Sequence, residues 1–110
     1  MPTTVPDVVT RYFALDANRD IDAILALFTD DATVLDEGET YRGTDEIHGW
    51  QTGAASKYTY STTILDTESL PTDDYRVKVR LDGNFPGETV ELNFDFTLAA
   101  EHISRLEIKP

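Results

Sequence analysis

Four carboxylates crowd one short apolar run: residues 28–38 read Phe-Thr-Asp-Asp-Ala-Thr-Val-Leu-Asp-Glu-Gly, with Asp30, Asp31, Asp36 and Glu37 around it. A carboxylate works as a general base when apolar surroundings raise its pKa towards neutrality, and is otherwise a solvated surface acid. Alternate residues of a strand share a face, which sets Val34 and Asp36 on one side and Thr33 and Leu35 on the other. Asp36 is therefore either the base on an inward face or a solvated acid at a strand end beside Glu37 and Gly38. Asp30 and Asp31 are expected to close a helix and serve its turn. Tyr12 falls on the apolar face of the first amphipathic segment, where a phenol either donates to a developing oxyanion or rests in the core beside a polar neighbour. His48, near Trp50, titrates near neutrality and suits ligand binding or proton transfer. His102 begins the last strand as a surface residue. Trp50, Tyr58, Phe94 and Phe96 suit an apolar ligand pocket and equally the core of a small sheet.

The composition narrows the chemistry. Cysteine is absent, which removes thiolate nucleophiles, disulfides and cysteine metal sites. Two histidines without His-x-x-x-His spacing, and acids without EF-hand order, predict no metal and no cofactor. Gly83, Pro86 and Gly87 precede no helix, so they form no phosphate cradle. Twenty-one acids against nine Lys and Arg give a net charge of −12, which argues against nucleic acid and anionic membrane surfaces. With no secretory or membrane-spanning pattern, a cytoplasmic location is expected.

The residues above need elements to position them. At 110 residues the chain predicts one domain, 1–110, with one core. Val5, Val8, Val9, Tyr12, Phe13 and Leu15 predict a helix over 5–18, and Ile21, Ile24, Leu25, Leu27 and Phe28 a second, capped by Asp20. Residues 32–36 predict a strand, and Thr44 caps a short third helix through Ile47 and Trp50. Strands are predicted over 58–65, 75–81, 89–98 and 102–108. Helices first and antiparallel strands afterwards predict an α+β fold: N-terminal helices cover one face of a curved, mainly antiparallel sheet and leave the other open for a homodimer.

Residues 12–34, Tyr-Phe-Ala-Leu-Asp-Ala-Asn-Arg-Asp-Ile-Asp-Ala-Ile-Leu-Ala-Leu-Phe-Thr-Asp-Asp-Ala-Thr-Val, followed by Tyr-Arg-Gly-Thr-Asp-Glu-Ile at 41–47, resemble the nuclear transport factor 2-like superfamily, including ketosteroid isomerases and SnoaL-like polyketide cyclases. The resemblance extends to a final hairpin over 94–98 and 102–108. It implies a cystatin-like cone enclosing a conical pocket, often in a homodimer, that receives an apolar small molecule. It implies Asp36 as the base two residues after the Asp-Ala-Thr-Val segment, and Tyr12, correctly spaced from it, as the oxyanion donor. Asp95 would be the second donor. Alternation, however, groups Asp95 with Asn93 and Thr97 and puts Phe94 in the acid's place. Proton transfer on an apolar carbonyl compound, ligand binding without chemistry, and a dimeric interaction module all fit this pattern, because fold does not imply function.

Overall fold

The computed structural model describes residues 6–18, 20–53, 59–70, 74–84 and 87–110. Helix α1 (Asp7–Ala17) follows Pro6, whose fixed backbone suits a helix entry, and carries Asp7 in its first turn, where the helix dipole favours an acid. Its buried side chains Val8, Val9, Tyr12, Phe13 and Asp16 recur at helical spacing and make one stripe. Helix α2 (Ile21–Leu25) is capped as expected, with Asp20 Oδ1 accepting from the Ala23 amide at 3.3 Å.

Helix α2 is shorter than its periodicity predicts. The Ile103 amide donates to the Leu27 carbonyl at 2.7 Å, and Phe28 pairs with Ile103, so the chain enters strand β1 (Phe28–Asp36) four residues early. Pairing with a distant strand overrides the local apolar spacing. Asp30 and Asp31 consequently lie exposed within β1 and close no helix, and Thr29 Oγ1 donates to Asp31 Oδ1 at 3.0 Å. Strand β2 (Glu39–Arg42), which was not expected, returns through Glu37 and Gly38, with φ of 53° and 80°. Two positive φ values suit the twist of a two-residue hairpin, and glycine meets that demand without strain. Helix α3 (Gly43–Thr52) then lays Ile47, Trp50 and Gln51 on the core. Its entry is fixed by the Arg42 amide, which donates to Glu46 Oε1 at 2.9 Å.

Strands β3 (Tyr60–Leu70), β4 (Asp74–Gly83), β5 (Thr89–Ala99) and β6 (His102–Lys109) complete a six-stranded sheet ordered β2-β1-β6-β5-β4-β3. Among the described residues only the β1–β6 pair is parallel. The inner face carries Val34, Val77, Val79, Phe94, Phe96 and Leu106 under the helices, all buried. Burying each such side chain contributes about 1.5–3 kcal/mol. The outer face carries Arg76, Lys78 and Arg80 of β4 opposite Asp95, Asn93 and Glu91 of β5. Lys78 pairs with Glu91 at 3.5 Å, and Arg76 reaches Glu68 of β3 at 3.8 Å. The predicted α+β architecture, helices on one face of a mainly antiparallel sheet, is the one observed.

Candidate functional site

Strand β1 delivers Asp36 to the inner face. Val34 lies opposite Leu106 and Asp36 opposite Ile108, and those β6 residues pair with Phe96 and Phe94 on the same face. Helix α3 supplies the partner: Trp50, 2 % exposed, donates from Nε1 to Asp36 Oδ2 at 3.0 Å. The Tyr41 ring, opposite Val34 on β2, lies 6.2 Å from the Trp50 ring. Half-burial among these groups pushes the Asp36 carboxyl up from its ordinary range. The Trp50 hydrogen bond and the Glu37 backbone pull the other way, while the Glu37 charge adds to the rise. This is the direction a carboxylate needs to work as a base near neutrality.

Tyr12 reaches the same interior from α1. It is 2 % exposed, with its ring 5.5 Å from Phe96 and 6.2 Å from Phe94. Burial pushes its hydroxyl well above the usual phenol value. Asp16, Tyr60 and Asp36 add to this, and a side-chain hydrogen bond with Gln51 opposes it. Tyr12 is thus a neutral phenol throughout the physiological range, able to donate and not to act as a base.

Other candidates fall elsewhere. Asp95 lies on the outer face, where Arg76 Nε and Nη2 grip its two oxygens at 2.8 and 3.1 Å and Lys109 Nζ approaches at 3.2 Å. Partial burial raises its pKa, but the hydrogen bonds and charges of Arg76 and Lys109 outweigh that and hold it below the usual carboxylate range. An ionised acid facing outward cannot donate to an interior oxyanion, so the role that the resemblance implied for Asp95 is corrected. Phe94 takes the inward position, as alternation requires. His48 is exposed on α3, and its carbonyl accepts from Thr52 Oγ1 at 3.0 Å; its side chain does not enter the interior. Phe94 and Phe96 are buried behind Tyr12, with the Phe13 ring 5.2 and 5.8 Å away, and form the wall of the site. Tyr58 lies outside the described residues. His102 is exposed, with Nδ1 3.0 Å from the Ala100 carbonyl oxygen.

Sequence reasoning passed over Asp16 and Gln51, both buried beside Tyr12. Asp16 had a signal, an acid one helical turn after Tyr12 on an apolar stripe. Gln51 had none, because an amide next to Trp50 reads as helix surface. Among the described residues no group of three or more His, Asp or Glu is placed to hold a metal ion. Two clefts of about 910 and 550 Å³ lie at the other end of the sheet. Residues such as Arg11, Leu27, Leu98 and His102 line the first, and Phe28, Asp30 and His102 the second; neither includes Asp36 or Tyr12. No helix among the described residues is long and apolar enough to cross a membrane.

Asp36 and Tyr12 thus bring an inward carboxylate and a neutral buried phenol to the interior between the helices and one face of an open sheet. The SnoaL-like domain family matches residues 9–101, and the chain belongs to that family. A putative polyketide cyclase from Sinorhizobium meliloti is 35 % identical, with 96 % of this chain and 95 % of that chain covered and a TM-score of 0.89. A protein with a ketosteroid isomerase-like fold from Catenulispora acidiphila, solved with trimethylamine, is 22 % identical over 97 % of this chain and 87 % of its own, with a TM-score of 0.83. A Mycobacterium tuberculosis protein solved with estradiol-17β-hemisuccinate is 16 % identical over 92 % and 88 %, with a TM-score of 0.78. No curated protein matches the sequence.

Proposed function

We propose that the protein binds an apolar carbonyl compound against the inner face and moves a proton on it. The observation that carries this reading is the Asp36 carboxylate on that face, held by Trp50 and raised in pKa, with the neutral Tyr12 phenol in the same interior. On a β,γ-unsaturated ketone, Asp36 takes a proton from the carbon between alkene and carbonyl. Tyr12 donates a hydrogen bond to the enolate oxygen as charge develops there, and Asp36 returns the proton to the γ carbon, so that the double bond moves into conjugation. The analogous ketosteroid isomerase chemistry is a worked case of this carboxylate logic. The putative polyketide cyclase and the estradiol-hemisuccinate complex among the similar structures support a small organic ligand.

The test is turnover of such a ketone by wild type and by Asp36→Asn, which keeps shape and removes the base. Turnover should fall roughly 100-fold or more in the variant. Equal rates would exclude catalysis by Asp36. They would leave the second reading, a ligand-binding protein with the same interior, which the outward position of Asp95 favours because one oxyanion donor is then missing. On either reading a homodimer through the open outer face of the sheet and a cytoplasmic location belong to the proposal.

A further inference from the structure

The larger cleft at the far end of the sheet plays no part in the Asp36 and Tyr12 reading. It holds about 910 Å³, within the range of roughly 300–1,000 Å³ in which proteins receive small organic molecules. The start of α1, the residues after α2 and the β5–β6 turn enclose it. Val8 and Leu27, both buried, and the half-buried Leu98 and Tyr75 supply apolar surface, while Arg11 and His102 are exposed. In a chain with 21 acids against nine Lys and Arg, a cation without an acid beside it is out of place. Among the described residues Arg76, Lys78, Arg80, Arg105 and Lys109 all form ion pairs. Arg11, like Arg42 on β2, forms none, although Asp7 stands one helical turn before it. Its planar guanidinium fork is open to an outside carboxylate. His102 is oriented by its own turn. Its Nδ1 lies 3.0 Å from the Ala100 carbonyl oxygen, which can only accept, so Nδ1 carries the proton and Nε2 is the nitrogen left for a ligand. That turn holds Ala100 and Glu101 at φ of 50° and 66°, and strain of this kind gathers at ligand-binding positions. We infer that the cleft is a second binding site, which takes a monocarboxylic acid with an apolar body: the carboxyl group on Arg11 and His102, the body on Val8, Leu27, Leu98 and Tyr75. A carboxyl group suits His102 in either state, because neutral Nε2 accepts from the acid O–H and protonated Nε2 donates to the carboxylate. Asp7 and Glu101 also line the cleft, and their charges oppose a doubly charged head, which selects a carboxylate over a phosphate ester.

The probe is octanoate, titrated into ¹⁵N-labelled protein and followed by NMR. It should shift the backbone amide signals of Val8, Arg11, Leu98 and His102 saturably and leave the Trp50 indole N–H signal in place, which separates this cleft from binding beside Asp36. Arg11→Gln should weaken binding roughly tenfold or more, because it removes a charge-assisted pair of hydrogen bonds, and His102→Ala should weaken it several-fold. Octan-1-ol and octylamine, with the same chain and no carboxylate, should bind at least roughly tenfold more weakly than octanoate. Both variants change exposed side chains, and the spectrum that reads binding also shows that they are folded. Cleft signals that do not move, a shift confined to Trp50, equal affinity of Arg11→Gln and wild type, or octylamine binding as tightly as octanoate each overturn the inference. None of these outcomes depends on ketone turnover.

Discussion

At the scale of single residues, the three interior or paired acids differ by surroundings alone. Asp36 is raised chiefly by burial, Asp95 is lowered by Arg76 and Lys109 against its own partial burial, and Asp16 is held by a phenol. A carboxyl whose folded pKa lies above its unfolded value contributes stability that is full below the unfolded pKa and is lost as pH rises through the folded one. Asp36 therefore costs stability at neutral pH. Asp36→Asn, whose amide oxygen still accepts from Trp50, should be at least as stable as wild type at pH 7. Its urea midpoint should also fall less than that of wild type between pH 4 and 7, while turnover is lost. A larger fall in the variant than in wild type would contradict this. Asp95 has the opposite sign, with stability present above its unfolded pKa and lost as pH falls through the folded one, so Asp95→Asn should destabilise at pH 7 and progressively less in acid. The inward face of Asp36 was legible from alternation with Val34. Its hydrogen bond to Trp50 was not, because it joins a strand end to a helix 14 positions away.

At the scale of elements, local patterns held where neighbours agreed with them. Helix α1 and strands β4 and β5 follow their apolar spacing, whereas α2 stops at Leu25 and Phe28 joins β1 because β6, some 75 positions later, offers Leu27 and Phe28 a parallel partner. Strand β2 carries no apolar alternation and forms because the turn at Glu37 and Gly38 brings Tyr41 back opposite Val34. The β5–β6 turn places both central residues, Ala100 and Glu101, at positive φ, 50° and 66°, with Ala99 opposite His102. A non-glycine residue pays roughly 1–2 kcal/mol for that conformation, which Asn-Gly adopts readily. Replacing Ala100→Asn together with Glu101→Gly should stabilise the fold by about 1–2 kcal/mol in urea denaturation. Ketone turnover should not change, since this turn lies at the end of β6 away from Asp36.

At the scale of the whole molecule, the net charge of −12 is unevenly used. Arg76, Lys78 and Lys109 gather on the outer face and meet acids of neighbouring strands there, and Arg80 meets Asp82 of its own strand, giving that face rows of both signs. Two such faces can meet with opposite rows aligned, and an assembly held this way weakens as salt screens it. Light scattering should show a dimer at low ionic strength that dissociates towards about 1 M salt; a monomer under both conditions would exclude assembly through this face. The fold was readable because periodicity, turns and the Asp-Ala-Thr-Val pattern agree, while the site was readable only in part, because Asp36 meets Trp50, and Asp16 meets Tyr60, through space and not along the chain. One feature of the interior also makes the protein its own indicator. The chain has a single tryptophan, Trp50, and its indole N–H is bonded to Asp36. Intrinsic fluorescence therefore has one source, and titration of Asp36 or arrival of a ligand beside it should change that emission without any added label, a signal that Asp36→Asn should strip of its pH dependence.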